Sequence, residues 1–294
     1  MAYGGNAALV TGASSGIGEA FARALTARGR EVLLSGLPED HTRLETIAGE
    51  LRQQHHVRVE VAPFDLAEPD AAHRLQAAAD ALGFEPTLLV NSDGIGAGGV
   101  FAEAHLERHL QMVAVNIAAL VALTGLYLPR MIARHHGRVI NVASTAALGP
   151  IPYFAVYAAS KTFVLSFSEA IWAENHRRGV RVVAICPGPV ATAFHERAGD
   201  TESSAGVQGR IKRRYMTPER VVDIALDALA RDRPTVVLRL PGFGLVSLPV
   251  AMAQILVPRR LWLLGSERLS RWYFRQLAPP LLGKATGKGA EDYR

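Results

Sequence analysis

A single cysteine, Cys186, among 294 residues means that no disulfide can staple this chain internally. Aromatic residues are sparse at 7%. No zinc-ligand spacing, RNA-binding aromatic motif or basic recognition helix appears, so nucleic acid is not the expected partner despite a sequence pI of about 9.6. Residues 1–20 contain no basic segment followed by a long apolar stretch, which with the lone thiol predicts a cytoplasmic protein. An unbroken membrane-spanning run is also missing from residues 240–257. They are uncharged but interrupted by Pro241, Gly242, Gly244, Ser247, Pro249 and Gln254.

What is present is the composition of a folded protein, 49% hydrophobic and 20% charged. The length suits one large α/β domain with an appendage better than two equal domains. Residues 251–294 hold eight basic residues against three acidic ones, an excess equal to the net +5 of the whole chain. That basic tail predicts contact with a membrane or an acidic surface.

Seven short, β-branched apolar runs alternate with amphipathic stretches: Ala7–Thr11, Glu31–Ser35, Val57–Val61, Thr87–Asn91, Arg138–Ala143, Val180–Cys186 and Thr235–Arg239. Leu44, Ile47, Ala48 and Leu51 form one helical stripe, and Val221, Val222, Ala225, Leu226 and Leu229 form another behind Pro218. Strands alternating with helices predict a seven-stranded, doubly wound parallel sheet with helices on both faces. Ligands of such sheets lie beyond the carboxyl ends of the strands. Residues 194–217 are long, polar and glycine-bearing, and are expected to form a lid within a main domain of residues 1–240. Residues 241–282 then form an apolar and amphipathic C-terminal helical extension, and 283–294 a disordered tail.

The chemistry is carried by two constellations. Directly after the first strand stands Thr11-Gly12-Ala13-Ser14-Ser15-Gly16-Ile17-Gly18, with a helix expected to start near Ser15. Three glycines let the backbone turn tightly and aim helix N-terminal N–H groups at a pyrophosphate. The second constellation is Ser144, Tyr157 and Lys161. Tyr157 and Lys161 are one helical turn apart on one face, so an ammonium beside the phenol is expected to lower its pKa from about 10 and make it usable as an acid or base. Ser144 follows an apolar strand, which puts its hydroxyl at the same carboxyl edge.

With these motifs in order, the chain resembles the short-chain dehydrogenase/reductase family over roughly residues 5–240. The glycine turn matches TGxxxGxG, Tyr157 to Lys161 matches YxxxK, and Asn116 matches the helix asparagine of the catalytic tetrad. Asp65 with Leu66 matches the adenine contact, and Pro187-Gly188-Pro189-Val190 with Thr192 matches the motif flanking the nicotinamide. The resemblance implies a Rossmann-type fold, a homodimer or homotetramer, and hydride transfer between NAD(P)(H) and a carbonyl or secondary alcohol. It implies Tyr157 as acid/base, Ser144 bonding the same substrate oxygen, Lys161 holding the ribose, and Asn116 fixing a proton-relaying water.

Two departures stand out. The family's NNAG is Asn91-Ser92-Asp93-Gly94 here, so a carboxylate stands where a small residue is usual; it either bonds the cofactor ribose or caps the turn. After the second strand, Ser35-Gly36-Leu37 lacks the acidic residue that would bond a ribose 2′-hydroxyl. NADP(H) is therefore favoured, with Arg43 as phosphate partner and NAD(H) as the alternative. Ala146, Leu148, Ile151, Phe154, Pro189 and Phe194 predict an apolar wall and hence a hydrophobic ketone or alcohol as substrate. The alternatives are a 3-oxoacyl-thioester or lipid reductase held at a membrane by residues 240–282, and a nucleotide-binding scaffold without turnover.

Overall fold

A computed structural model describes residues 6–192, 215–238 and 258–277, the last five as backbone only. The expected lid up to residue 214, Phe194, residues 239–257 and the tail beyond 277 lie outside the described residues. Seven parallel strands form one sheet: β1 (Ala7–Val10), β2 (Glu31–Leu34), β3 (Val59–Val61), β4 (Leu88–Asn91), β5 (Gly137–Val142), β6 (Val180–Cys186) and β7 (Thr235–Val237). Their spatial order is β3-β2-β1-β4-β5-β6-β7. The chain builds outward from β1 to β3, returns across the sheet, and builds outward again from β4. The turn-round between β1 and β4 opens a crevice beyond their carboxyl ends.

The helices are α1 (Gly16–Thr26), α2 (His41–His55), α3 (Ala71–Ala81), α4 (Leu106–Val113), α5 (Leu120–Ala133), α6 (Ala155–Asn175), α7 (Pro218–Ala230) and α8 (Arg259–Leu277). Side chains alternate between faces along each strand, and both faces are covered. Ala8 and Val10 of β1 pack with Phe21, Leu44, Ile47 and Val221 on one side. Ala7 and Leu9 pack with Leu75, Leu123, Tyr127 and Met131 on the other. The two sequence stripes are buried as expected, Leu226 being only partly covered.

The boundary differences are short and have local causes. β3 starts at Val59 rather than Val57 because His56 leaves α2 in the left-handed region, at φ 53°. β7 is three residues long, although Leu238 still donates its N–H to the Cys186 carbonyl at 2.9 Å. Between α4 and α5 the helix widens into a π segment, Ala114–Ala119, which carries Asn116. The combined Leu106–Ala133 helix is long and apolar enough to cross a membrane, but Leu120, Leu123, Tyr127 and Met131 are buried in the protein.

A buried polar brace crosses β4 and β5 behind the crevice. Asn91 faces Asn141 in register and donates Nδ2–H to Asn141 Oδ1 at 2.8 Å and to Thr124 Oγ1 at 3.3 Å. Asn141 Nδ2 donates to Ser168 Oγ at 2.8 Å, and Ser168 donates to the Val164 carbonyl at 2.6 Å. Each residue satisfies a neighbour that water cannot reach. Asn91, expected at the cofactor, is thus first a link between β4, β5, α5 and α6. Replacing Asn141 by Ala removes one buried partner from each of Asn91 and Ser168, and should lower unfolding stability by about 2–4 kcal/mol in urea titration; a loss below about 0.5 kcal/mol would show that the brace does not hold the strands.

Candidate active site

The glycine turn sits at the head of the crevice. Gly12 and Gly16 both adopt positive φ, 62° and 57°, where a side chain is strained. A Cβ on Gly18 would lie 2.1 Å from the Gly12 carbonyl oxygen, and one on Gly16 would lie 2.9 Å from Thr192 Cγ2. Helix α1 begins directly behind, and its N-cap Ser15 makes no side-chain cap. The first N–H groups of α1, including those of Gly16, Ile17 and Gly18, therefore face the crevice as an anion cradle. Thr192 from the β6 loop closes over it, its own N–H bonded to the Val190 carbonyl at 2.8 Å. Such a cradle fits a dinucleotide pyrophosphate.

Around the cradle the expected contacts are arranged unevenly. Ser14 is buried and donates its hydroxyl to Asp40 Oδ2 at 2.7 Å. A Cβ on Gly36 would be in ordinary contact with Leu44 Cδ1 at 3.5 Å and with Ser14 at 3.6 Å. Arg43 pairs with Glu19 on α1, at 3.0 and 3.1 Å, so a 2′-phosphate would have to draw it from that partner. Asp65 accepts the Ala67 N–H at 2.8 Å, which fixes the turn after β3, and Leu66 is buried beside it. Asp93 accepts the N–H of Gly94 at 2.9 Å, so of the two roles expected for it the turn cap is present.

The catalytic candidates converge at the carboxyl ends of β4, β5 and β6. Ser144 follows β5, and its Oγ accepts the Ala146 N–H at 3.1 Å. A side-chain hydrogen bond joins it to Tyr157. Lys161, one turn along α6, is buried, lies 5.9 Å from the centre of the Tyr157 ring and donates to the Val142 carbonyl at 3.0 Å. Asn116 Oδ1 accepts the Ile95 N–H at 2.9 Å, while Nδ2 donates to the Ile95 carbonyl and to Ser160 Oγ, both at 3.0 Å. Its carbonyl and Lys161 Nζ both close on Gly94, whose Cβ would be 3.4 and 3.1 Å from them. The four residues expected to act together are brought together.

Burial governs their ionisation. It pushes the Tyr157 phenol above its ordinary value, and the Ser144 hydrogen bond offsets only part of that. The lowering expected from Lys161 is not what opposes burial here; Ser144 supplies the opposing effect and desolvation sets the direction. Burial also drives Lys161 down to about 8, opposed by the nearby Asp93 carboxylate. Cys186 beneath is pushed up to about 12 and remains a neutral thiol.

Of the expected substrate wall, Ala146 is buried, while Leu148, Ile151, Phe154 and Pro189 are partly exposed along the crevice. Phe154 meets the Tyr157 ring edge-on, their centres 6.0 Å apart. Pro187 and Val190 are buried, with Gly188 between them half-covered. Met216 and Val190 form a parallel bridge. Thr11, the first residue of the glycine-turn motif, has a role that the motif does not show: its Oγ1 accepts the N–H groups of Ser92 and Asp93 at 3.1 Å each. It clamps the β4 loop to the glycine turn. A threonine ending the first strand was the available signal. Asn141, Ser160 and Asp40 gave none, since their partners are distant in sequence.

The short chain dehydrogenase family model matches residues 6–203. The chain belongs to the short-chain dehydrogenase/reductase family. It is 35% identical over 190 residues to the very-long-chain 3-oxoacyl-CoA reductase of Anas platyrhynchos, covering 63% of this chain and 60% of that protein. It is 28% identical over 243 residues to a Mycobacterium bovis protein named "Probable oxidoreductase EphD", covering 79% of this chain and 40% of that one. The chain thus spans between two fifths and three fifths of these relatives. A short-chain dehydrogenase from Sphingobium yanoikuyae in complex with NADPH superposes with a TM-score of 0.71 at 26% identity, covering 88% of this chain and 95% of that one.

The cradle makes a direct prediction. Gly16→Ala should weaken binding of reduced nicotinamide dinucleotide at least about tenfold by cofactor fluorescence, with about 1 kcal/mol lost in stability. Unchanged affinity would show that the dinucleotide does not lie on this turn.

Proposed function

We propose that this chain is an NAD(P)(H)-dependent ketoreductase or alcohol dehydrogenase acting on a hydrophobic ketone or secondary alcohol. The observation that carries the reading is the cluster of the partly exposed Ser144 and Tyr157 with the buried Lys161, beside the glycine cradle. A nicotinamide dinucleotide held on Gly12–Gly18, Asp65, Gly94 and the Pro187–Thr192 segment would supply or accept the hydride. In the reducing direction Ser144 and Tyr157 bond the carbonyl oxygen, and Tyr157 delivers its proton as negative charge develops there. A phenol raised by burial still carries that proton at neutral pH. Lys161 places a buried positive charge near the resulting phenolate and would hold the ribose of a bound dinucleotide. Asn116 holds the Ile95 backbone and α6 at the spacing that keeps Lys161 in reach.

NADP(H) is the favoured cofactor, because β2 is followed by Ser35-Gly36 without a carboxylate at that point and the Sphingobium relative was solved with NADPH. Asp40, held by Ser14, and the Glu19 partner of Arg43 pull the other way. The partly exposed apolar residues beside Tyr157 support a hydrophobic substrate, met in the cytoplasm by a homo-oligomer. The test is loss of reduced-nicotinamide absorbance with NADPH and then NADH, across bulky ketones, steroids and oxoacyl thioesters. Tyr157→Phe should lower turnover about a thousandfold and leave cofactor affinity within about twofold. Near-normal turnover by Tyr157→Phe would overturn the mechanism, and cofactor binding without turnover by the unaltered chain across a widened panel would favour the scaffold reading.

A second reading, a 3-oxoacyl-thioester or lipid reductase at a membrane surface, is favoured by α8. Tyr153, four residues before Tyr157, donates its hydroxyl to Glu267 of α8 at 2.6 Å, which ties that helix to the substrate wall. Its outward side exposes Leu261, Leu264, Leu269 and Trp272 beside Arg268. Apolar residues next to arginines suit the headgroup boundary of an anionic bilayer. The full chain should then co-sediment with phosphatidylserine-containing liposomes, and Leu261→Glu with Trp272→Glu should abolish this. Absence of binding by the unaltered chain removes the membrane version.

A further inference from the structure

The departure at Asp93 is explained by its surroundings. Its backbone is fixed on both sides: the N–H bonds Thr11 Oγ1 at 3.1 Å, and its Cα lies 3.0 Å from where a Cβ on Gly12 would stand. The next residue, Gly94, lies against the Lys161 ammonium, 3.1 Å from its Cβ position to Nζ. Asp93 therefore cannot move away from the catalytic lysine without breaking the contact between the β4 loop and the glycine turn. Among the described residues, the groups near Lys161 are the neutral Cys186 thiol from β6, the Val142 carbonyl from β5, Asn116 from the π segment, the Tyr157 ring from α6, and Asp93, whose Oδ1 accepts at 2.9 Å the N–H of the same Gly94 that lies against Nζ. Asp93 is the one carboxylate among them.

We infer that Asp93 is a positioning residue whose carboxylate holds the buried Lys161 ammonium in its protonated form, in addition to capping its own turn. A fully buried lysine sheds its proton because the charge has lost its hydration, and an opposite charge at short range restores part of what was lost. Here the first effect brings Lys161 to about 8 with Asp93 already in place. Removing the carboxylate lowers it further. At the pH of assay a larger share of the protein would then carry a neutral amine beside Tyr157, and forming the phenolate would become harder. In alcohol oxidation, which needs that phenolate, the pH profile should move to higher pH. The catalytic consequence rests on the function proposed above, whereas the ionisation of Lys161 does not.

The chain contains four lysines, Lys161, Lys212, Lys284 and Lys288, so lysine labelled with carbon-13 at Cε gives a spectrum in which Lys161 is identified by loss of its signal in Lys161→Arg. The full-length protein is titrated from pH 6 to 11. Lys161 should titrate near 8 in the unaltered chain, and about one pH unit lower in both Asp93→Asn and Asp93→Ala. Asp93→Glu should recover at least half of the shift. Asp93→Asn keeps a group able to cap Gly94, so a change in turn geometry alone would separate it from Asp93→Ala. The same Lys161 midpoint in all four proteins overturns the inference and leaves Asp93 as a turn cap. Because this readout needs no turnover, its failure is distinct from the failure of the oxidoreductase reading, which is judged by absorbance loss and Tyr157→Phe.

Discussion

Parallel pairing of β4 with β1 on one side and β5 on the other is the constraint on which the rest of this protein depends. It places the ends of three strands, separated by 80 residues or more of chain between the first and second, at one edge. The glycine turn leaves the first, Asp93 and Gly94 leave the second, and Ser144 leaves the third. Parallel strands have no short connections, so each crossover helix must be buried against the sheet to hold this register. The Asn91–Asn141–Ser168 brace adds a specific restraint to that burial. Apolar packing alone tolerates small slips between strands, whereas buried amides a hydrogen bond apart do not.

The site shows how one buried charge organises its neighbours. Lys161 is taken out of water by α6 and the β5 carboxyl end, and this both weakens its hold on a proton and directs its field to the few groups nearby. Tyr157 is held high by the same burial, so near neutral pH the pair is a protonated phenol beside an ammonium whose hold on its proton has been weakened. A negatively charged dinucleotide entering the cradle adds charge to this balance. The tetrad is best regarded as one coupled set rather than as four residues with fixed ionisation. Asp93 belongs to that set by position although it lies on another element.

Much of this was legible in the sequence. All seven strands were foreshadowed by apolar runs, with ends displaced by one residue in β1, β2, β4 and β5 and by two in β3 and β7, where His56 and the short edge strand limit the pairing. The glycine turn, Ser144, Tyr157 and Lys161 carry spacings that have chemical meaning by themselves. The π segment around Asn116 was not legible, since a widened helix has the same periodic apolar pattern as a regular one. Nor was the pairing of Arg43 with Glu19, which depends on how α1 and α2 lie against each other.

The sequence by itself determined which elements form, their order and which side chains are candidates for the chemistry, because hydrophobic period, glycine placement and one-turn spacing are local properties. Tertiary structure alone decided that Thr11 clamps the β4 loop, that Ser14 meets Asp40, that Tyr153 anchors α8 and that Asp93 stands by the buried lysine. These contacts join residues far apart in the chain. Their energies depend on distance and on exclusion of water, and neither quantity exists until the sheet has closed and its helices have packed.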